Sequence, residues 1–163
     1  MRKIAKLIYK FINGDCDVIP SDMFSYKPID EIITFCMVEP KEANIEWKKF
    51  LKETHNFDLT SENVFALSIL HELGHHYTVD LFSDEDWESY ATQKTLEDLE
   101  GSELHQAYFN LPNEQIATAW AVELYRANPT YMKAWNQRFN CALRHYEKKT
   151  HKKTSFLDKK MFF

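Results

Sequence analysis

The stretch His71-Glu72-Leu73-Gly74-His75 carries two imidazoles and a carboxylate at H-E-x-x-H spacing. On an α-helix each residue advances ~100°, so His71 and His75 lie about 40° apart on one face and one turn apart in height. Two imidazole nitrogens so placed can reach one tetrahedral ion at ~2.0–2.1 Å, and Zn2+ is the ion such donors predict. Glu72 sits beside that face, where it can take the proton of a water whose pKa the metal lowers toward ~7. The chemistry predicted by this spacing is the attack of water on a carbonyl.

The surroundings of the motif support that reading. Val64, Phe65, Leu67, Ile69, Leu70 and Leu73 make the helix apolar nearly all round, so it should be buried. Two histidines and a glutamate buried without partners would cost several kcal/mol, and a metal supplies partners to all of them. Gly74 in mid-helix costs roughly 1 kcal/mol against alanine, which implies that another backbone packs closely there. His76, turned roughly 100° from His75, reads as a surface or supporting histidine rather than a ligand.

A catalytic zinc site needs a third protein ligand and an open position. The extended form H-E-x-x-H-x-x-G-x-x-H is excluded, because Thr78 and Leu81 occupy the glycine and histidine positions. Glu114 is the best source of a carboxylate: Glu114, Ala117, Ala121 and Tyr125 fall within about 80° of one helical face. An acid followed by two small residues is the face expected of a helix lying against the motif helix, while Glu123 points to the opposite side. Glu97, Glu100 and Glu103 are lesser alternatives, and Glu88 sits in an acidic, solvated run. Peptide hydrolysis also requires a donor to the developing oxyanion, for which His105, Tyr108 and Tyr125 are the candidates.

Taken together, His71-Glu72-Leu73-Gly74-His75 and the later Glu114-x-x-Ala117-x-x-Trp120-Ala121 resemble the gluzincin-type metallopeptidases of the ImmA/IrrE family, which are often encoded on prophages and mobile elements. The resemblance covers roughly residues 60–127. Trp120 replaces the usual Phe, and Thr118 stands where Asn or Asp is common. The resemblance implies an α+β, mostly helical fold, with a compact zincin-like core in which the H-E-x-x-H helix lies beside a small β-sheet. It implies a zinc ion held by two histidines and a glutamate, a glutamate base, and regulatory proteins such as repressors as substrates. Two other functions fit the same residues: a catalytically inactive zinc-binding protein that regulates a partner, and a helical interaction module without metal.

The elements that must position these residues read as follows. Residues 1–12 form an amphipathic helix through Ile4, Leu7, Ile8, Phe11 and Ile12, packed on the core rather than serving as a signal peptide. A loop over 13–28 follows, then a buried strand over 32–38 closed by Pro40. Residues 42–55 form an amphipathic helix carrying Ile45, Trp47, Phe50 and Leu51. Thr60 or Ser61 caps the motif helix, which runs to about Val79. A polar helix runs from Ser83 or Asp84 to Gly101, and 102–110 form a connecting piece. Pro112-Asn113 opens a helix that ends before Pro129, because the residue before proline avoids the helical region. Thr130 starts the last helix, whose stripe Tyr131, Trp135, Phe139, Ala142, Leu143 and Tyr146 is core packing.

Composition bounds the remainder. A content of 44% hydrophobic and 15% aromatic residues, with only 3 Gly and 5 Pro, describes a globular chain rich in helix. At 163 residues one domain spanning 1–163 is expected. Cys16, Cys36 and Cys141 are odd in number and far apart, which fits a reducing, cytoplasmic setting. No apolar run approaches the ~18 residues of a membrane span. The net charge of −5 is unevenly spread: both ends are basic, and the body between them is strongly acidic. That body would repel nucleic acid, so no nucleic-acid-binding surface is expected there; the protein substrate is what the resemblance implies. The six lysines of residues 148–163 read as a solvated tail.

Overall fold

The computed structural model describes residues 1–38, 41–83, 85–86, 96 and 99–157. Among them the fold is α+β and mostly helical, with six helices and one three-stranded sheet. The first helix, α1 (Arg2–Phe11), buries Ile4, Ile8 and Phe11, the apolar stripe read from the sequence. No helix among the described residues is long and apolar enough to cross a membrane.

The segment 13–28 is not only loop. It contains strands β1 (Asp17–Pro20) and β2 (Ser25–Lys27), which flank β3 (Ile32–Phe35) in the order β1-β3-β2. β1 runs parallel to β3 with Asp17 opposite Ile32, and β2 runs antiparallel with Tyr26 opposite Ile33. The two short edge strands are largely exposed and show no alternation of apolar and polar residues, so their sequence gave no strand signal. β3 is central, and its Ile33, Thr34 and Phe35 are all buried, as a run covered on both faces should be. Thr34 is tolerated there because its hydroxyl donates to the Met23 carbonyl at 2.9 Å and pairs with Ser25 Oγ at 2.8 Å.

Helix α2 (Lys41–His55) buries Trp47, Phe50 and Leu51, whereas Ile45, expected in the same stripe, faces solvent. The motif helix α3 (Val64–Thr78) starts later than a Thr60 or Ser61 cap would require. The Thr60 N–H donates to Asn63 Oδ1 at 2.7 Å, so residues 60–63 close a turn of their own before the helix begins. From Val64 to His75 every residue of α3 is buried. Of the expected polar helix, residues 84, 87–95, 97 and 98 lie outside the described residues.

Residues expected to connect helices instead form α4 (Gly101–Phe109). Gly101 opens this helix at φ +57, a left-handed value that suits glycine. None of the residues of α4 is fully buried, so its apolar stripe is faint in sequence. It rests on α2 through stacking of Phe109 on Phe50 at 5.7 Å.

Helix α5 (Pro112–Ala127) begins with proline in its first turn, where the missing N–H costs no bond. Its buried face holds Glu114, Ala117, Thr118, Ala121 and Val122, and Glu123 is exposed on the other side. Helix α6 (Pro129–Thr150) buries Met132, Trp135, Phe139 and Leu143 and stops at His151 in the left-handed region, φ 57.

The lysines of the tail that are described, Lys148, Lys149, Lys152 and Lys153, are exposed as expected, but Thr154, Ser155 and Phe156 are seated on the core, and residues 158–163 lie outside the described residues. Glu147 accepts the Thr154 N–H at 2.6 Å, the Ser155 N–H donates to Met37 O at 3.2 Å, and Phe156 is fully buried. Phe156 packs edge-on against Phe65 at 4.9 Å and Phe24 at 5.9 Å. Burying one phenylalanine gains about 1.5–3 kcal/mol. That holds the segment even though Lys152 and Lys153 extend into solvent.

Candidate metal centre

Helices α3 and α5 make the most extensive contact between elements among the described residues. A Cβ built on Gly74 would stand 2.6 Å from the Ala117 carbonyl oxygen, so the two backbones touch where glycine faces a small residue. This is the close approach that mid-helix glycine implies, and it brings the Glu114 side of α5 directly over the His71–His75 face of α3.

The side chains converge. His71 Nε2 lies 2.9 Å from Glu114 Oε2 and 3.2 Å from His75 Nε2, and His75 Nε2 lies 3.4 Å from Glu114 Oε1. Two donors bound tetrahedrally to one ion at ~2.0–2.1 Å stand ~3.3–3.4 Å apart. The observed separations bracket that value, so these three side chains can hold a metal ion with shifts of a few tenths of an ångström. They are the one group of metal-ligating residues brought together among the described residues, and all three are buried.

Thr118, four residues after Glu114 on the same face, completes the arrangement. Its hydroxyl lies 3.0 Å from His71 Nδ1. When Nδ1–H donates to that oxygen, Nε2 keeps its lone pair for the metal position. Asn113 Nδ2 donates to Glu114 Oε1 at 3.2 Å and steadies the carboxylate. Thr118 stands at i+4 from Glu114, the spacing at which a helix places two side chains together, and at the position where the resembled family commonly has Asn or Asp.

The two buried carboxyls are driven apart electrostatically. Burial alone would raise Glu114, but hydrogen bonds and charge from His71 and His75 overcome it and hold the group well below the usual carboxylate range. Glu72 moves the other way: burial raises it, and the attraction of His71 and His75 and a hydrogen bond from the Tyr26 N–H only partly compensate. One carboxylate thus stays charged while its neighbour is disposed to accept a proton. A cation held by the triad would favour the ionised form of both.

Tyr26 lies on β2, an edge strand, so its N–H contact to Glu72 ties the sheet to the site. Its hydroxyl pairs with His76 Nδ1 at 2.9 Å, which keeps His76 outside the triad. Of the three oxyanion candidates, Tyr108 faces the triad, His105 lines a cavity beside it, and Tyr125 is remote. Tyr108 is 42% exposed as a whole residue, yet its hydroxyl is buried and faces the Glu114 carboxylate. Burial and the charges of Glu114 and Glu72 hold this phenol well above its ordinary range, so it remains a donor. His105 lines a cavity of about 420 Å³ that reaches His71 and Glu72. A smaller cavity of about 200 Å³ runs along β2 past Glu72, His75 and Tyr108.

Tyr125 lies eleven residues beyond Glu114, about 16 Å along the helix axis. Its hydroxyl accepts from Asn136 and its ring packs on Phe57. It lines a separate polar cleft of about 1020 Å³, the largest of those described, which contains none of the triad. Glu100 and Glu103 are exposed and do not join the triad, and Glu88 and Glu97 lie outside the described residues. No family model matches the chain, and searches of curated proteins and of solved structures returned no match.

Proposed function

We propose that this chain is a zinc-dependent peptidase in which His71, His75 and Glu114 hold the ion and Glu72 activates water. The observation that carries the reading is the convergence of three buried metal donors with the buried carboxylate of Glu72 beside them. Zinc, when bound, would supply the positive charge that acidifies a water and polarises the carbonyl under attack. Glu72 would take the proton from the attacking water and pass it to the leaving nitrogen. Tyr108, protonated and facing the triad, is the preferred donor to the developing oxyanion, ahead of His105.

The residue pattern that resembles the ImmA/IrrE peptidases supports a regulatory protein as substrate. The same geometry would also suit a catalytically idle protein that uses the metal as a staple, which the burial of all four site residues favours. Elemental analysis of untagged protein and of Glu72→Gln, together with digestion of a repressor-type substrate, separates the two. A peptidase retains about one equivalent of zinc in both proteins and loses cleavage only in Glu72→Gln. Zinc retention with no cleavage by wild type under any condition would establish the staple instead.

A further inference from the structure

The basic first helix and the basic end of the last one meet in space. Helices α1 and α6 pack antiparallel: Phe11, at the end of α1, lies against Tyr131, Trp135 and Phe139, while Met1, before its start, shares a groove with Lys149. That groove encloses about 880 Å³. Ile4 is buried and Leu7 and Ala142 are half-buried, and these three supply its apolar floor. Arg2 and Lys3 from α1 and Arg138 and Lys149 from α6 line it as exposed residues, and no Asp or Glu does. None of the four cations forms an ion pair among the described residues. Arg138 is held over the Trp135 ring at 4.8 Å, so its charge is fixed in place. A chain of net charge −5 therefore gathers uncompensated positive charge along both sides of one apolar trough.

We propose that this groove binds an acidic amphipathic helix of a protein partner. From Arg138 to Lys149, α6 runs about 17 Å at 1.5 Å per residue, so a partner helix of about three turns spans the trough. Apolar side chains at i, i+3, i+4 and i+7 of that helix would cover Ile4, Leu7 and Ala142. Asp or Glu on its two flanks would meet Arg2 and Lys3 on one side and Arg138 and Lys149 on the other, which sets the sign of the partner. A bilayer fits the surface less well, because Ile4, Ile8 and Phe11, the residues α1 would insert, are already buried in the core. Nucleic acid would match the charge but leave the apolar floor uncovered. The groove contains none of the triad, so the proposal stands apart from the peptidase reading.

The test follows fluorescence anisotropy as the full chain is added to a labelled peptide of about 14 residues, with leucine at i, i+3, i+4 and i+7 and glutamate on both flanks. A scrambled peptide of the same composition and vesicles containing anionic lipid serve as comparisons. The patterned peptide should bind about tenfold tighter than the scrambled one, and the double variant Arg2→Glu, Lys149→Glu should weaken it about tenfold. Ala142→Gln fills the floor without changing charge and should weaken it by a similar factor. Arg2 and Lys149 are exposed, so the double variant gives an answer even where Ala142→Gln fails to fold. Equal affinity for the two peptides, or undiminished binding of the patterned one by the double variant, overturns the proposal. Binding to anionic vesicles without binding to either peptide also overturns it. Self-association in sedimentation that the double variant abolishes would assign the groove to a second copy of the chain and overturn it likewise.

Discussion

Replacing Gly74 with alanine adds one methyl group at the point where α3 and α5 touch. By helix propensity alone the change should stabilise the chain by about 1 kcal/mol. The neighbouring atoms decide otherwise, because the new Cβ would lie 2.6 Å from the Ala117 carbonyl oxygen and 3.1 Å from its Cα, all of it backbone. Reaching 3.4 Å, where contacts become ordinary, requires α5 to withdraw by about 0.8 Å. Metal and catalytic geometry tolerates only about 0.5 Å, and α5 carries both Glu114 and Thr118. Overpacking costs about 1–3 kcal/mol, so Gly74→Ala should be neutral to about 2 kcal/mol less stable without metal. Its affinity for zinc should fall about 10- to 100-fold, the usual loss when support of a ligand is disturbed. At a free zinc concentration 100 times the wild-type Kd, the ion stabilises wild type by about 2.7 kcal/mol and the variant by about 0.4–1.4 kcal/mol. For a chain of this length those values correspond to rises in Tm of about 5–10 °C and about 1–5 °C. Melting curves with and without zinc, and chelator competition for Kd, read both quantities. A variant that melts above wild type without metal and rises as much with zinc would refute the close approach and the role given to α5.

Thr118→Val keeps the shape of the side chain but removes the hydroxyl at His71 Nδ1; zinc affinity by chelator competition should drop about 10- to 100-fold while the fold, followed by circular dichroism, is retained. Phe156→Ala should lower stability in urea denaturation by about 3–5 kcal/mol, a loss that a solvated tail would not produce. Cys141 is exposed while Cys16 and Cys36 are buried, so one thiol should react rapidly with a disulfide reagent at pH 8 and three after denaturation. Burial, reinforced by Asp15, Glu31 and Asp17, pushes the Cys16 thiol up to about 11, so its labelling should accelerate only as the pH approaches that value.

What could be read in the sequence divides along physical lines. His71, His75 and Glu114 were legible because helical periodicity alone fixes which residues share a face, and Gly74 announced the partner backbone that brings the two faces together. The edge strands and α4 were not legible, since Asp17–Pro20, Ser25–Lys27 and Gly101–Phe109 bury too little to impose a periodic pattern. Phe156 was masked by the lysines around it, although one aromatic ring can seat a segment whose composition looks solvated. Tyr125 and Tyr108 illustrate a further limit. Tyr125 shares the angular face of Glu114, but angle says nothing of distance along the axis, and three turns carry it out of reach.

The triad and its base also differ in what the fold must supply to each. Metal donors need only convergence, and a helix pair with one glycine contact provides that from α3 and α5 alone. Glu72 needs only its place on α3, one residue after His71, where it is buried beside the donors without joining them. It follows that separating α5 from α3 should abolish zinc binding by removing Glu114, while the position of Glu72 relative to His71 and His75, fixed within one helix, is retained.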